Sequence, residues 1–149
     1  MKIYLGSDHA GFYLKEKIFA HLVRAGYDVE DEGDKVLDPA DDYPQFAYTV
    51  TTKILGSEDD DARGILLCGG GQGMCIAANR VRGIRAVVVW DEHEAKMARN
   101  DNDSNVLCLP ARSLEDKQLI DIVDVWLKTP FSKAARHARR IREIEDIYG

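Results

Sequence analysis

Apolar and polar positions along the chain alternate between two rhythms. Lys2-Ile3-Tyr4-Leu5-Gly6 is a short apolar run of strand length. From Phe12 to Ala25, Leu14, Ile18 and Leu22 share one helical face, and Gly26 marks a stop. Tyr27-Asp28-Val29-Glu30 alternates like a second strand. Residues 31–43 are acidic and irregular, and Tyr43-Pro44 opens a helix to about Leu55, since proline suits a first helical turn. Gly56 to Asp61 reads as a solvated acidic loop. Gly64 to Cys68 is the third strand, followed by a glycine loop and a helix from Met74. Ile84 to Trp90 reads as the fourth strand, Glu92 to Arg99 as a helix, and Asn105 to Leu109 as the fifth strand. Leu114 to Leu127 and Phe131 to Tyr148 read as amphipathic helices.

Apolar strands alternating with helices imply an α/β fold whose parallel sheet is covered on both faces. The length of 149 residues suggests a single domain spanning 1–149, and no repeat, low-complexity tract or interdomain linker interrupts it. Composition adds exclusions. A net charge of −6 argues against non-specific binding to nucleic acid or anionic membrane. No apolar run reaches the ~20 residues of a membrane span, and the opening residues are too short an apolar stretch for a signal peptide. Three widely spaced cysteines, at 68, 75 and 108, are no disulfide framework and point to a reduced cytoplasmic protein.

Ligands of such sheets bind beyond the carboxyl ends of the strands. Those ends read Gly6-Ser7-Asp8-His9, Cys68-Gly69-Gly70-Gly71, Trp90-Asp91 and Leu109-Pro110-Ala111-Arg112. An acid, an imidazole, a thiol and a guanidinium therefore gather on one edge. The glycine loop lacks the spacing of a dinucleotide fingerprint and the lysine of a Walker A loop, and the chain has no C-x-x-C. A cysteine phosphatase loop would place arginine where Met74 stands. What remains is a thiol beside a ring of backbone donors, an arrangement suited to an oxyanion that forms during reaction. Cys68 fits a small buried core residue equally well on pattern alone. Cys75 and Cys108, inside apolar segments, read as core.

Several motifs then carry a resemblance. Gly6-Ser7-Asp8-His9-Ala10-Gly11-Phe12, Asp42-Tyr43-Pro44, Gly64 to Arg80, Gly83-Ile84-Arg85-Ala86, Asn102-Asp103-Ser104-Asn105-Val106-Leu107, and Ala135-Arg136-His137 with Arg140-Ile141 appear in order. Together they resemble the ribose-5-phosphate isomerase B / galactose-6-phosphate isomerase family. The resemblance implies a three-layer α/β/α Rossmann-like sandwich with a five-stranded parallel sheet. It implies cofactor-free, metal-independent interconversion of aldose and ketose phosphates through an enediolate. It also implies a homodimer with shared active sites, sometimes paired into tetramers. Residue by residue, Cys68 matches the base. Gly69, Gly71 and Gly73 with Asn102 match the oxyanion-stabilising loop and asparagine, and Gly70 lies within that substrate-binding loop. Asp8 and Tyr43 match sugar-binding positions, and His9, Arg112, Arg136 and Arg140 match the phosphate set.

Two positions depart from the family pattern. Family members acting on ribose 5-phosphate usually carry Arg-x-His-Asn-Asp, whose histidine helps open the furanose ring. Here the run is Arg99-Asn100-Asp101-Asn102-Asp103, so Asp101 takes the place of that catalytic histidine. An exposed aspartate is ionised at neutral pH and donates protons poorly. Gly70 stands where threonine or serine is usual, which removes a hydroxyl and adds room. The expected substrate is of the ribose 5-phosphate/ribulose 5-phosphate type. The alternatives are a four- or six-carbon sugar phosphate, or a non-catalytic sugar-phosphate-binding paralogue.

Overall fold

A computed structural model describes residues 1–149. Five strands form one sheet: β1 (Lys2–Ser7), β2 (Asp28–Asp31), β3 (Arg63–Cys68), β4 (Ala86–Val88) and β5 (Val106–Pro110). All pairings are parallel, in the order β2-β1-β3-β5-β4. Six helices connect and flank them: α1 (Phe12–Arg24), α2 (Tyr43–Leu55), α3 (Gln72–Ala78), α4 (Glu92–Asn102), α5 (Asp116–Lys128) and α6 (Ala135–Tyr148). The α/β class and the five-stranded parallel sheet expected from the alternation are both present.

The sheet separates two cores, which gives the three layers. One face packs Ile3, Leu5, Ile65, Leu67, Leu107 and Leu109 under α1, α4 and α5. The other packs Tyr4, Leu66, Cys68, Val106 and Cys108 under α2 and α3. Neighbouring residues on β1, β3 and β5 thus face opposite layers, the period of two that a strand imposes. Trp126 is fully buried in the first core, its Nε1 donating to Ser104 Oγ at 2.9 Å. The guanidinium carbons of Arg63 and Arg99 lie 5.5 and 6.0 Å from its ring centre. Burial, with Arg63 nearby, lowers the Arg99 pKa from its usual value, and Asp103 opposes this. Arg99 Nη1 donates to Ser104 O, fixing the turn that feeds β5.

Some boundaries shift for local reasons. β4 is an edge strand of three residues, shorter than the apolar run Ile84–Trp90. Ile84 closes a turn onto Val81 O, and Arg85 N donates to Asn105 Oδ1 at 2.8 Å, so neither belongs to the ladder. α3 begins at Gln72, two residues before Met74. α4 extends past Arg99 to Asn102. α6 starts at Ala135 instead of Phe131, because Pro130 precedes it, Ser132 N bonds to Asn100 O and Lys133 takes a left-handed φ of 57°.

Between β1 and α1 the chain makes a 3₁₀ turn, His9–Gly11, absent from the periodicity reading. Asp8 caps it, Oδ1 accepting from Ala10 N at 2.9 Å and Gly11 N at 3.2 Å. Gly11 lies directly on β3: a Cβ there would stand 2.6 Å from Leu67 Cβ and 2.8 Å from Leu67 O. The turn can be this close to the central strand only because residue 11 lacks a side chain. Gly11→Ala should therefore destabilise the protein by about 1–3 kcal/mol in urea or thermal melts.

Candidate active site

The strand order reverses between β1 and β3, the place where an open parallel sheet leaves a crevice at its carboxyl edge. Asp8 follows β1, and its N–H donates to Leu67 O at 3.2 Å. Cys68 ends β3 with 6% of its surface exposed, on the α2/α3 side of the sheet. β5 ends alongside: Ala111 N donates to Cys68 O at 2.9 Å and Arg112 N to Gly69 O at 3.0 Å. Asp8, His9, Cys68 and Arg112 therefore do gather on one edge, as the strand ends implied. Asp91 instead caps α4, accepting from Glu94 N at 2.7 Å.

The glycines differ in what requires them. Gly71 has a left-handed φ of 71°, and a Cβ there would come within 3.1–3.3 Å of the Leu109–Pro110 backbone. A Cβ on Gly69 would lie 3.2 Å from Arg112 Nη1, so the guanidinium lies along the loop. A Cβ on Gly73 would meet the Tyr43 ring at 2.7–3.0 Å, so that ring covers the first turn of α3. At Gly70 a Cβ would touch nothing within 4 Å. The N–H groups of Gly69, Gly70 and Gly71 make no backbone hydrogen bond. Unspent donors of this kind beside a thiol can stabilise an oxyanion developing next to it.

The other cysteines lie just beneath. Cys75 is half-buried on α3, its Sγ 3.3 Å from Ala86 O. Hydrogen bonding with the Cys108 thiol lowers the Cys75 pKa, burial opposing it, while burial pushes Cys108 well above the usual thiol value. Cys108 is the core residue the sequence implied; Cys75 is only partly so.

His9 sits in the 3₁₀ turn with its ring at the rim, 35% exposed. Asp41, which sequence reasoning missed, holds it: Oδ1 lies 2.7 Å from His9 Nδ1 and accepts from His9 N at 3.0 Å. Asp8, His9 and Asp41 are also the group whose ligand atoms, all within 4.8 Å of one another, could hold a cation. Hydrogen bonds within the protein already engage the imidazole and both carboxylates.

Asp101, Asn102, Arg136 and Arg140 lie elsewhere. α4 starts at the carboxyl edge after β4 and returns across the sheet, so Asp101 and Asn102 end at the amino edge. There Asn102 O accepts from Arg85 Nε at 3.1 Å, just before β4. α5 makes the same return, and α6 starts beside Asn100 through the Ser132 bond. Asp101 Oδ1 accepts from Asn100 Nδ2 at 2.7 Å and lies 3.6 Å from His137 Nδ1. Arg136 and Arg140 are exposed, one turn apart on α6. A strand as long as β3 spans roughly 17 Å. Within one chain, these four residues cannot reach Cys68.

Known proteins resemble this chain in sequence and fold over nearly its whole length. The model of the Ribose/Galactose Isomerase family matches residues 3–144. A probable ribose-5-phosphate isomerase B of Mycoplasma genitalium is 44% identical over 142 residues, covering 95% of this chain and 92% of that protein. The crystal structure of a Thermotoga maritima ribose 5-phosphate isomerase superposes with a TM-score of 0.91 at 47% identity, covering 97% of both chains. The Mycoplasma genitalium ribose-5-phosphate isomerase B structure with bound ribulose-5-phosphate gives 0.93 at 42%, covering 98% of this chain and 95% of that one.

Two adjacent glycines give a paired test of the loop. Gly71→Ala should cost about 1–2 kcal/mol, the price of a left-handed non-glycine residue. Gly70→Ala should stay within about 0.5 kcal/mol of the parent. Chemical denaturation of the two variants side by side measures the contrast.

Proposed function

We infer the function from a plain premise: the chain belongs to the ribose/galactose isomerase family. It is a sugar-phosphate isomerase, interconverting the aldose and ketose forms of a substrate of the ribose 5-phosphate/ribulose 5-phosphate type. The carrying observation is the thiol of Cys68 beside three unspent loop amides. Residues 1–149 form one isomerase domain in this reading. The three free cysteines favour a reducing cytoplasmic setting.

In the open-chain aldose, the Cys68 thiolate removes the carbon-2 proton. The electron pair moves into a carbon–carbon double bond, and the carbonyl oxygen becomes the enediolate oxyanion. The N–H groups of Gly69, Gly70, Gly71 and Gly73 meet that charge as it develops. A proton passes from the carbon-2 hydroxyl to the carbon-1 oxygen, Cys68 returns the abstracted proton to carbon 1, and the ketose forms with its carbonyl at carbon 2. No metal or cofactor takes part in this route. Asp8 binds sugar hydroxyls, and the Tyr43 ring closes the sugar site over Gly73. His9 and Arg112 hold the phosphate from the same chain.

The remaining groups come from a second copy. Asn102 of the partner subunit completes the oxyanion site, and Arg136 and Arg140 of the partner subunit complete the phosphate clamp. Asp101 of the partner subunit faces the ring oxygen during opening. The separation of the two half-sites across the sheet supports this homodimer. So does α6, which exposes Ile144, Ile147 and Tyr148. Ile84, Ala86, Val87, Ile141, Ile144 and Tyr148 line an open apolar cavity of about 340 Å³ at its base. Pairing of dimers into tetramers is compatible with the exposed faces of α2 and α3.

A substrate of another length is the second reading, favoured by the open space at Gly70. A panel of four-, five- and six-carbon aldose and ketose phosphates ranks them by kcat/KM.

Cys68→Ser should lower kcat by roughly 10²–10⁴-fold with KM little changed. Complementation tests the shared site. Cys68→Ala and Arg136→Ala proteins, each nearly inactive, are unfolded together and refolded as a mixture. About a quarter of the parental activity should return, because half the dimers are mixed and each holds one intact site. Activity that stays absent in mixtures shown to contain mixed dimers would sink the shared-site reading.

A further inference from the structure

We propose that Asp41 is a positioning residue for phosphate recognition, fixing the His9 ring so that Nε2 alone faces the ligand as a donor. One carboxylate oxygen serves two donors of the same residue: Asp41 Oδ1 takes the His9 backbone N–H at 3.0 Å and lies 2.7 Å from Nδ1. This clasp fixes both the main chain and the ring of His9. The Asp41 side chain is only 8% exposed, so water competes weakly for that oxygen. The nearby Asp8 carboxylate makes no hydrogen bond to the His9 ring, and its Oδ1 accepts from Ala10 N and Gly11 N.

The consequence follows from proton bookkeeping on the ring. A carboxylate only accepts, so Nδ1 carries its proton. A neutral ring then shows phosphate a lone pair at Nε2, and an imidazolium shows it an N–H. A phosphate oxygen selects the second state. Asp41, His9 and phosphate thus form a chain of two charge-assisted hydrogen bonds, as carboxylates behind histidines orient them at metal centres. Asp41 lies in the irregular segment between β2 and α2, and its own N–H closes a turn onto Asp38 O. The same clasp therefore seats that segment beside the site.

The identity of the ligand rests on the isomerase reading, whereas the ring state does not, and the tests separate the two. Long-range ¹⁵N–¹H spectra of the imidazoles, with His9 assigned by its loss in His9→Gln, should show Nδ1 protonated. Nε2 should be the nitrogen that shifts on adding inorganic phosphate. A neutral ring with its proton on Nε2 and Nδ1 bare overturns the proposal, and this needs no variant at Asp41. In steady-state assays Asp41→Ala should raise KM for ribose 5-phosphate about tenfold, and weaken inhibition by inorganic phosphate equally, with kcat held within about twofold. Asp41→Asn, which keeps an acceptor but loses the charge, should fall between. In a His9→Ala background Asp41→Ala should add little, because it acts through the missing ring. Loss of kcat at unchanged KM, or effects of the two substitutions that simply multiply, overturns it. A parent protein that shows the ring state and the phosphate response but isomerises no sugar phosphate sinks the isomerase reading and leaves the positioning role standing.

Discussion

All five strands run the same way, and the rest of the molecule follows from that constraint. Every loop that leaves a strand opens on one edge, and the helices crossing back deliver the chain to the other. Cys68 ends a strand, and the glycine loop, His9 and Arg112 follow strands. Asp101 and Asn102 end a returning helix, and Arg136 and Arg140 follow another. Chain direction alone separates the two groups by the length of the sheet. In the proposed homodimer, a closed two-fold pair sets the helix-borne group of each chain against the strand-borne group of the other. On that proposal assembly and catalysis depend on one interface, and anything that loosens it removes both sites together.

The two half-sites also differ in how firmly they are held. Cys68 and its loop stand on the central strand, tied to β1 through Asp8 N and to β5 through Ala111 N and Arg112 N. A base must be held about 3–3.5 Å from the carbon it serves with little room for error, and strand ends provide that precision. α6 has one buried residue, His137, and otherwise presents charged and apolar side chains outward. Arg136 and Arg140 project from exposed positions on this helix instead. The group proposed to move the proton thus stands on the rigid sheet, and the arginines proposed for phosphate stand on a projecting helix. The protein is acidic overall, yet α6 carries Arg136, Arg139, Arg140 and Arg142, so positive charge is concentrated on this helix.

Periodicity made most of the sheet and helices legible, because burial on both faces leaves long apolar runs in β3 and β5 and regular spacing in α1 and α2. It failed where single contacts overrule pattern. The edge strand β4 is cut short by the Asn105 side chain, and α6 is delayed by Pro130 and the bond from Ser132. Lys15 shares the apolar face of α1 with Ile18 and Leu22 and is fully buried, and its charge is met by Asp31 and Glu16, partners that spacing does not reveal. Asp41 sits in a tract of aspartates where nothing local sets it apart from Asp38 or Asp42. Each of these roles is fixed by a partner 16 or more residues away, or by the single turn it interrupts. A reading of local spacing has no access to either.

The glycine loop shows how the fold and the reaction divide one short segment between them. Gly71 is demanded by backbone geometry, and Gly69 and Gly73 by the side chains of Arg112 and Tyr43 that lie against them. Those three positions would be constrained in any protein with this loop, whatever it binds. Gly70 answers to none of these demands: its φ lies outside the left-handed region and the space beside it is empty. Folding therefore leaves position 70 open. A hydroxyl or a methyl can be added there at little cost to stability. In the proposed reaction the change falls beside the loop amides that meet the oxyanion, so the freedom to alter substrate preference lies at the one loop position the scaffold does not need for itself.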